Sequence, residues 1–222
     1  MMAPWQSIPG ETPIDPSGLR PALRKVVHTR AQLNPLEADN IRAAIVKYLA
    51  DTPNRRRAPF TLPWVLKLHK EMLGRVWSWA GRIRTVELNL GAPAWRIQTD
   101  LHELLQDLLA WEASAMPPAE QAARLHYRAV HIHPFENGNG RWARLLANIW
   151  LKQHGQPLTI WPEEGITAAT SPVRQHYLAA LQAADGGDMG PLIDLHNRFA
   201  APPADYLLFG QSRKHVIPYH SG

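Results

Sequence analysis

Between residues 133 and 144 the chain reads His-Pro-Phe-Glu-Asn-Gly-Asn-Gly-Arg-Trp-Ala-Arg, and these residue types at this spacing could do phosphate chemistry. Asn137, Gly138, Asn139 and Gly140 cannot lie comfortably inside a helix, so a helix must begin at the glycines. A helix start leaves its first N–H groups without intrahelical acceptors, and the macrodipole adds to their attraction for an anion. Gly138 and Gly140 let the backbone come close to a ligand and take positive φ, while the Asn139 amide can hold either a phosphate oxygen or the loop itself. Arg141 and Arg144 follow on neighbouring faces of the first turns. Their forked donors suit phosphate, and two of them suggest a polyphosphate. His133 stands just before this cradle, with Pro134 fixing its exit. An imidazole near a bound phosphate can take the proton from an attacking hydroxyl, general-base work worth about 10²–10⁴-fold in rate. The stretch lacks the lysine and spacing of a P-loop, and His126, His131 and His133 have no HExxH spacing to make them a metal cluster.

The elements that must position these groups are mostly helices. Asn34-Pro35-Leu36-Glu37 is a helix start by its cap, its proline and its glutamate, and Leu36, Ile41, Ala44 and Ile45 give an apolar face to about Ala50. Thr61-Leu62-Pro63 opens a second helix with a wide apolar stripe through Val76, in which His69 reads as a satisfied core histidine. From Ile83 to Ile97 the period changes to alternation around Gly91-Ala92-Pro93, which predicts a short β-hairpin. Such a hairpin is marginal alone, so it must lie on the helical body, and its free edge could pair with an extended peptide. Thr99 to Glu103 is a capping signature for a helix to about Ser114. Another helix from Ala119 delivers the chain to His133, and the next carries Leu145, Leu146, Ile149, Trp150 and Leu151 on its apolar side. After a loop holding Trp161, two helices are predicted, Ser171 to Ala184 and Met189 to Phe199. Residues 1–33 read as an extended arm anchored by Trp5 and Ile8, residues 34–200 as the domain, and residues 201–222 as a tail.

Composition bounds the rest. With 222 residues and no internal linker, one domain is expected, and 45% hydrophobic residues can fill its core. There is no cysteine, which excludes disulfides, thiolate catalysis and cysteine metal sites. No stretch approaches the roughly 20 apolar residues of a membrane span, and the N-terminus lacks the order of a secretory signal. A soluble cytoplasmic protein is therefore expected. The net charge of +5 permits an anionic partner without singling out nucleic acid, since Arg55, Arg56 and Arg57 are the sole local cluster.

The twelve-residue stretch resembles the motif H-x-F-x-[D/E]-G-N-G-R-x-x-R of the Fic (Fido) domain family, agreeing at every specified position except Asn137. Trp79 to Val86 resembles the family's run into its flap, and Gly10 to Pro16 with Ala183 to Asp188 are similar to the subgroup called mobile mystery protein B. The resemblance implies a mainly α helical bundle with a hairpin flap, and an adenylyltransferase moving AMP from ATP to a Tyr, Thr or Ser hydroxyl of a target protein. It makes His133 the base, Gly138, Asn139 and Gly140 the anion loop, and Arg141 and Arg144 the holders of the β- and γ-phosphates. Val86, Glu87, Leu88, Asn89 and Leu90 become the flap that aligns the target. It also places Asn137 where relatives have an acidic Mg²⁺ ligand. An amide oxygen can ligate Mg²⁺ but brings no charge, and the ion is commonly held by one or two carboxylates with phosphates.

Many relatives also carry an inhibitory [S/T]-x-x-x-E-[G/N] helix whose glutamate pairs with the second arginine. Three partial matches occur, Ser7 to Glu11, Thr99 to Glu103 and Thr159 to Glu163; none is followed by Gly or Asn, and the first and third contain proline. The expectation is inhibition in trans, by a separate antitoxin or helix-turn-helix partner of a toxin–antitoxin pair. Competing readings are a phosphotransferase, although relatives known for it replace Gly140 with Lys, transfer of another nucleotide, and a non-catalytic nucleotide- or partner-binding module.

Overall fold

Capping chemistry decides where the chain turns helical. In a computed structural model that describes Trp5, residues 14–168 and residues 170–201, the helices are α1 (Pro21–Arg24), α2 (Arg30–Leu49), α3 (Leu62–Leu73), α4 (Ile97–Glu112), α5 (Pro118–Ile132), α6 (Asn139–Gln153), α7 (Glu163–Thr167), α8 (Pro172–Asp185) and α9 (Gly190–Arg198). Helix α2 begins at Arg30 and not at Asn34, because Thr29 and Gln32 form a full capping box one turn earlier. Pro35 is carried inside the helix at its sixth position, where it forgoes one i→i−4 hydrogen bond. Likewise α4 starts at Ile97, and Asp100 binds Arg96 one turn back instead of opening the helix.

Helix α6 is the axis of the bundle. It packs against α5, α2 and α3, and Trp142, Ala143, Ala147, Ile149 and Trp150 are fully buried. A helix buried nearly all round must sit inside a layer of others, and that position fixes the start of α6 at the middle of the molecule. A second apolar cluster, with Trp161, Tyr177, Leu192 and Leu195, lies among α5, α7, α8 and α9. The amino-terminal segment is more structured than an extended arm. It forms a 3₁₀ turn (Pro16–Gly18), buries Leu19 completely, and joins the body where the Arg20 N–H donates to the Val76 carbonyl at 2.8 Å. Trp5 packs on the same core; Ile8 and residues 202–222 fall outside the described residues.

The hairpin expected over 83–97 does not form. Turns and bends run from Gly81 to Arg96, because the polar backbone pairs elsewhere: the Arg84 N–H donates to the Pro134 carbonyl at 2.9 Å and the Ala92 N–H to the Ile132 carbonyl at 3.2 Å. The two arms of the loop thus bind the chain around His133 rather than each other. Among the described residues no helix is long and apolar enough to cross a membrane.

Candidate active site

Helix α5 ends at His133, which takes the left-handed conformation (φ 52, ψ 59). Few non-glycine residues adopt it, and here it turns the chain into the loop that feeds α6. Gly138 caps α6 with φ 80, and a Cβ there would lie 2.5 Å from Leu73 Cδ1. Glycine is therefore needed at 138 for both its conformation and its contact with α3. No side chain caps the α6 start, which leaves its first-turn N–H groups directed at whatever anion the loop admits.

The two asparagines serve the loop. Asn139 is buried; its Oδ1 accepts from the Phe135 N–H at 2.9 Å and its Nδ2 donates to the Phe135 carbonyl at 2.8 Å. Of the two uses open to this amide, phosphate or loop, the structure takes the loop. The Asn137 Oδ1 accepts from the Gly138 N–H at 2.6 Å. A metal at Asn137 would find one neutral oxygen already engaged. Among the described residues no group of three His, Asp or Glu side chains could hold a metal ion.

Phe135 is stacked on the His69 ring at 3.6 Å between centroids. His69 is a satisfied core histidine: Nδ1 accepts from the Gly81 N–H at 2.9 Å, so Nε2 is the donor to the Asn137 carbonyl at 3.0 Å. It joins the start of the 81–96 loop to the anion loop.

Both arginines already have carboxylate partners. Arg141 Nη1 donates to Glu37 Oε2 at 2.7 Å, and the other oxygen of Glu37 accepts from Trp77 Nε1 at 2.5 Å. Arg144 is buried and grips Glu163 with two donors, Nε to Oε1 at 2.8 Å and Nη2 to Oε2 at 2.5 Å. Its third nitrogen, Nη1, would lie 3.3 Å from a Cβ built on Gly140, so the guanidinium spans from Glu163 to the first turn of α6. Burial works against this charge, but Glu163 outweighs it and Arg144 is held protonated. The expectation of inhibition in trans is thus undercut, because a glutamate of this chain's own fold pairs with Arg144. Pro162 does not break the segment; it stands as the residue before α7 and sets Glu163 at its first position. The match from Thr159 to Glu163 is the sequence signal for this contact, although it contains Pro162 and is not followed by Gly or Asn.

The Val86–Leu90 loop is largely open to solvent, with Val86 and Leu90 among the exposed large hydrophobics. His133 is half-buried. Burial, and then the charge of Arg84, lower its pKa to about 4, while an N–H of the ring donates to the Val130 carbonyl. At neutral pH the imidazole is uncharged and can accept a proton. Beneath Arg144, His126 Nδ1 meets His196 Nε2 at 3.0 Å, His126 Nε2 meets the Tyr177 hydroxyl at 3.0 Å, and His196 Nδ1 meets the Thr159 hydroxyl at 2.8 Å.

These buried rings make stability depend on pH. Burial lowers His69 and His196 from 6.5 to about 3 and His126 well below 6.5. The unfolded chain therefore binds protons that the folded chain refuses. Stability is full above about pH 6.5 and is lost as pH falls toward 3, by up to about 1.4 kcal/mol per pH unit for each neutral ring. Melting temperature should fall steadily from pH 7 to pH 5, and a flat profile over that window would contradict the neutral assignment.

The sequence and the fold have counterparts among known proteins. The profile of the Fic/DOC family matches residues 59–151. "Protein adenylyltransferase fic-1" of Caenorhabditis briggsae is 36% identical over 134 residues, 58% of this chain and 25% of that protein. "Protein adenylyltransferase Fic" of Aedes aegypti is 32% identical over 181 residues, 79% of this chain and 35% of that protein. A solved structure of Fic-1 from Caenorhabditis elegans superposes with a TM-score of 0.59 at 28% identity, over 77% of this chain and 48% of that one. The chain thus spans about a quarter to a third of the length of these curated relatives. With the profile matched from α3 into α6 and the helical architecture shared, residues 59–151 form a domain of the Fic/DOC family.

Proposed function

We propose that this protein is an adenylyltransferase that moves AMP from ATP to a hydroxyl side chain, Tyr, Thr or Ser, of a target protein. The single observation that carries the reading is His133, neutral and held before an uncapped helix start with Arg144 spanning its first turn. The relatives named protein adenylyltransferase support it.

In this reading the target hydroxyl oxygen attacks the α-phosphorus of ATP. Its proton passes to His133, the bond between the α-phosphorus and the bridging oxygen breaks, and pyrophosphate leaves. An anionic nucleotide beside the imidazole raises its pKa toward neutrality, where a general base works best. The first-turn N–H groups of α6 and Arg144 stabilise charge on the phosphates, work that oriented donors in a dry site do well. Arg141 contributes through donors not used by Glu37. Val86 to Leu90 present an exposed loop with two apolar side chains for the target segment.

Mg²⁺ would enter only as a companion of the nucleotide, to which Asn137 would offer an amide oxygen without charge. Asn137→Asp should increase ATP affinity about tenfold in Mg²⁺ and leave it unchanged in chelator, measured by calorimetry. An equal change under both conditions would show that position 137 does not face the metal.

Labelled ATP separates the enzyme readings. Incubated with cell lysate, the protein should label a target from α-labelled ATP. Label from γ-labelled ATP alone would instead show phosphate transfer.

A further inference from the structure

Arg84 is a buried guanidinium whose site is built from main-chain carbonyls. Its side chain is fully enclosed, and its nearest carboxylate, Glu87 at 3.9 Å, is 64% exposed. The charge is satisfied instead by Nε donating to the His133 carbonyl at 2.8 Å, Nη1 to the Val86 carbonyl at 2.7 Å and Nη2 to the Ala92 carbonyl. A buried cation whose one ion-pair partner is distant and largely exposed gains little from it, and a planar fork can meet three carbonyl acceptors at once. The acceptors are the carbonyl of the candidate base and the two ends of the 86–92 loop.

The surroundings agree. His133 sits in a conformation that non-glycine residues rarely adopt, so something must hold it there. Gly91, at φ 92, packs so closely that a Cβ on it would fall 2.4 Å from His133 Cβ and 3.1 Å from Arg84 Nη2. Backbone bonds from Arg84 to Pro134 and from Ala92 to Ile132 close the same junction.

We propose that Arg84 is a positioning residue for nucleotide transfer: one guanidinium locks the left-handed His133 backbone to both ends of the 86–92 loop, holding base and target-aligning loop as a single unit. This rests on the reading of His133 as the base and of the loop as the target's docking edge. The same charge, after burial, keeps the imidazole neutral.

The test compares the wild type with Arg84→Lys, which keeps the charge and loses the fork, and Arg84→Gln, which keeps donors and loses the charge. Both variants should speed exchange of the Ala92 amide and lower kcat about 100-fold, the scale expected for displacing a catalytic group by about 1 Å. The KM for ATP should stay within about twofold. By NMR, His133 should titrate higher in Arg84→Gln than in Arg84→Lys. Variants that melt like the wild type and match it in amide exchange, titration and kcat would overturn the proposal. Should neither variant fold, the wild type still decides: slow exchange of the Arg84 Nε–H supports the lock, and exchange at solvent rate overturns it. A wild type that transfers no nucleotide defeats the reading beneath the proposal, and is told apart from failure of the lock because exchange and titration need no activity.

Discussion

His133→Ala removes nucleotide transfer, by about 10²–10⁴-fold or more, with little change in melting temperature. The rate loss follows from deleting the proton acceptor, whose contribution is of that order. The small stability cost follows from where the ring sits: half-buried at the end of α5, not in the core. The backbone ties that hold this residue, its carbonyl to Arg84 Nε and its N–H to the Ala129 carbonyl at 3.3 Å, survive the substitution. Because the base must be neutral, the wild-type rate should also fall on acidification below the pKa of His133 in the nucleotide complex, and this limb should be missing from any residual activity of the variant. Initial rates with α-labelled ATP, together with thermal melts, check the prediction. Full activity in a folded His133→Ala protein would remove the imidazole from the mechanism.

Glu163→Ala raises ATP affinity and the transfer rate at limiting ATP, each by about tenfold. Arg144 now offers two of its donor nitrogens to Glu163, so a phosphate can claim them only by displacing the carboxylate. Charge-assisted bonds of this sort contribute about 1.5–3 kcal/mol each in favourable settings. Glu163 is 51% exposed at its side chain, so screening reduces that figure, and tenfold, about 1.4 kcal/mol, is the scale that remains. Glu163→Gln should fall between wild type and Ala, since an amide can still accept one bond but brings no charge. The variant has a cost as well, because Arg144 is left buried without its counter-ion and the melting temperature should drop by a few degrees, about 1–2 kcal/mol in a domain of this size. Calorimetry of ATP binding is the check. An affinity that is unchanged or weaker in Glu163→Ala would mean that the ion pair supports the nucleotide site rather than competing with the phosphates. On this account the restraint on Arg144 is intrinsic to the chain, and no separate inhibitor is required to explain it.

The parts of this account legible from residue order were those fixed by local chemistry. The start of α6 at the glycines, the satisfied state of His69 and the apolar faces of α3 and α5 all follow from spacing and from propensities that act over a few residues. The failures are non-local. Nothing near residues 83–97 reveals that their backbone donors pair with Ile132 and Pro134, and the alternating pattern alone points to a hairpin. Asn34-Pro35 looked like a helix start because proline is favoured there, yet the stronger Thr29–Gln32 box wins one turn earlier. Among the site residues, spacing brought His133, the glycines and Arg144 together. It does not reveal Glu37, whose link to Arg141 crosses 104 positions of sequence; Glu163 is signalled only by the proline-containing match that begins at Thr159. Arg84, lost in an alternating run, was invisible for the same reason: its three acceptors come together only in the fold.

Transfer of AMP to a protein hydroxyl with His133 as base is tested by mass spectrometry of lysate proteins incubated with ATP and either the wild type or His133→Ala. An AMP adduct on a Tyr, Thr or Ser side chain is expected with the wild type and none with the variant. A phosphate adduct, or an AMP adduct of equal yield in both reactions, would contradict it.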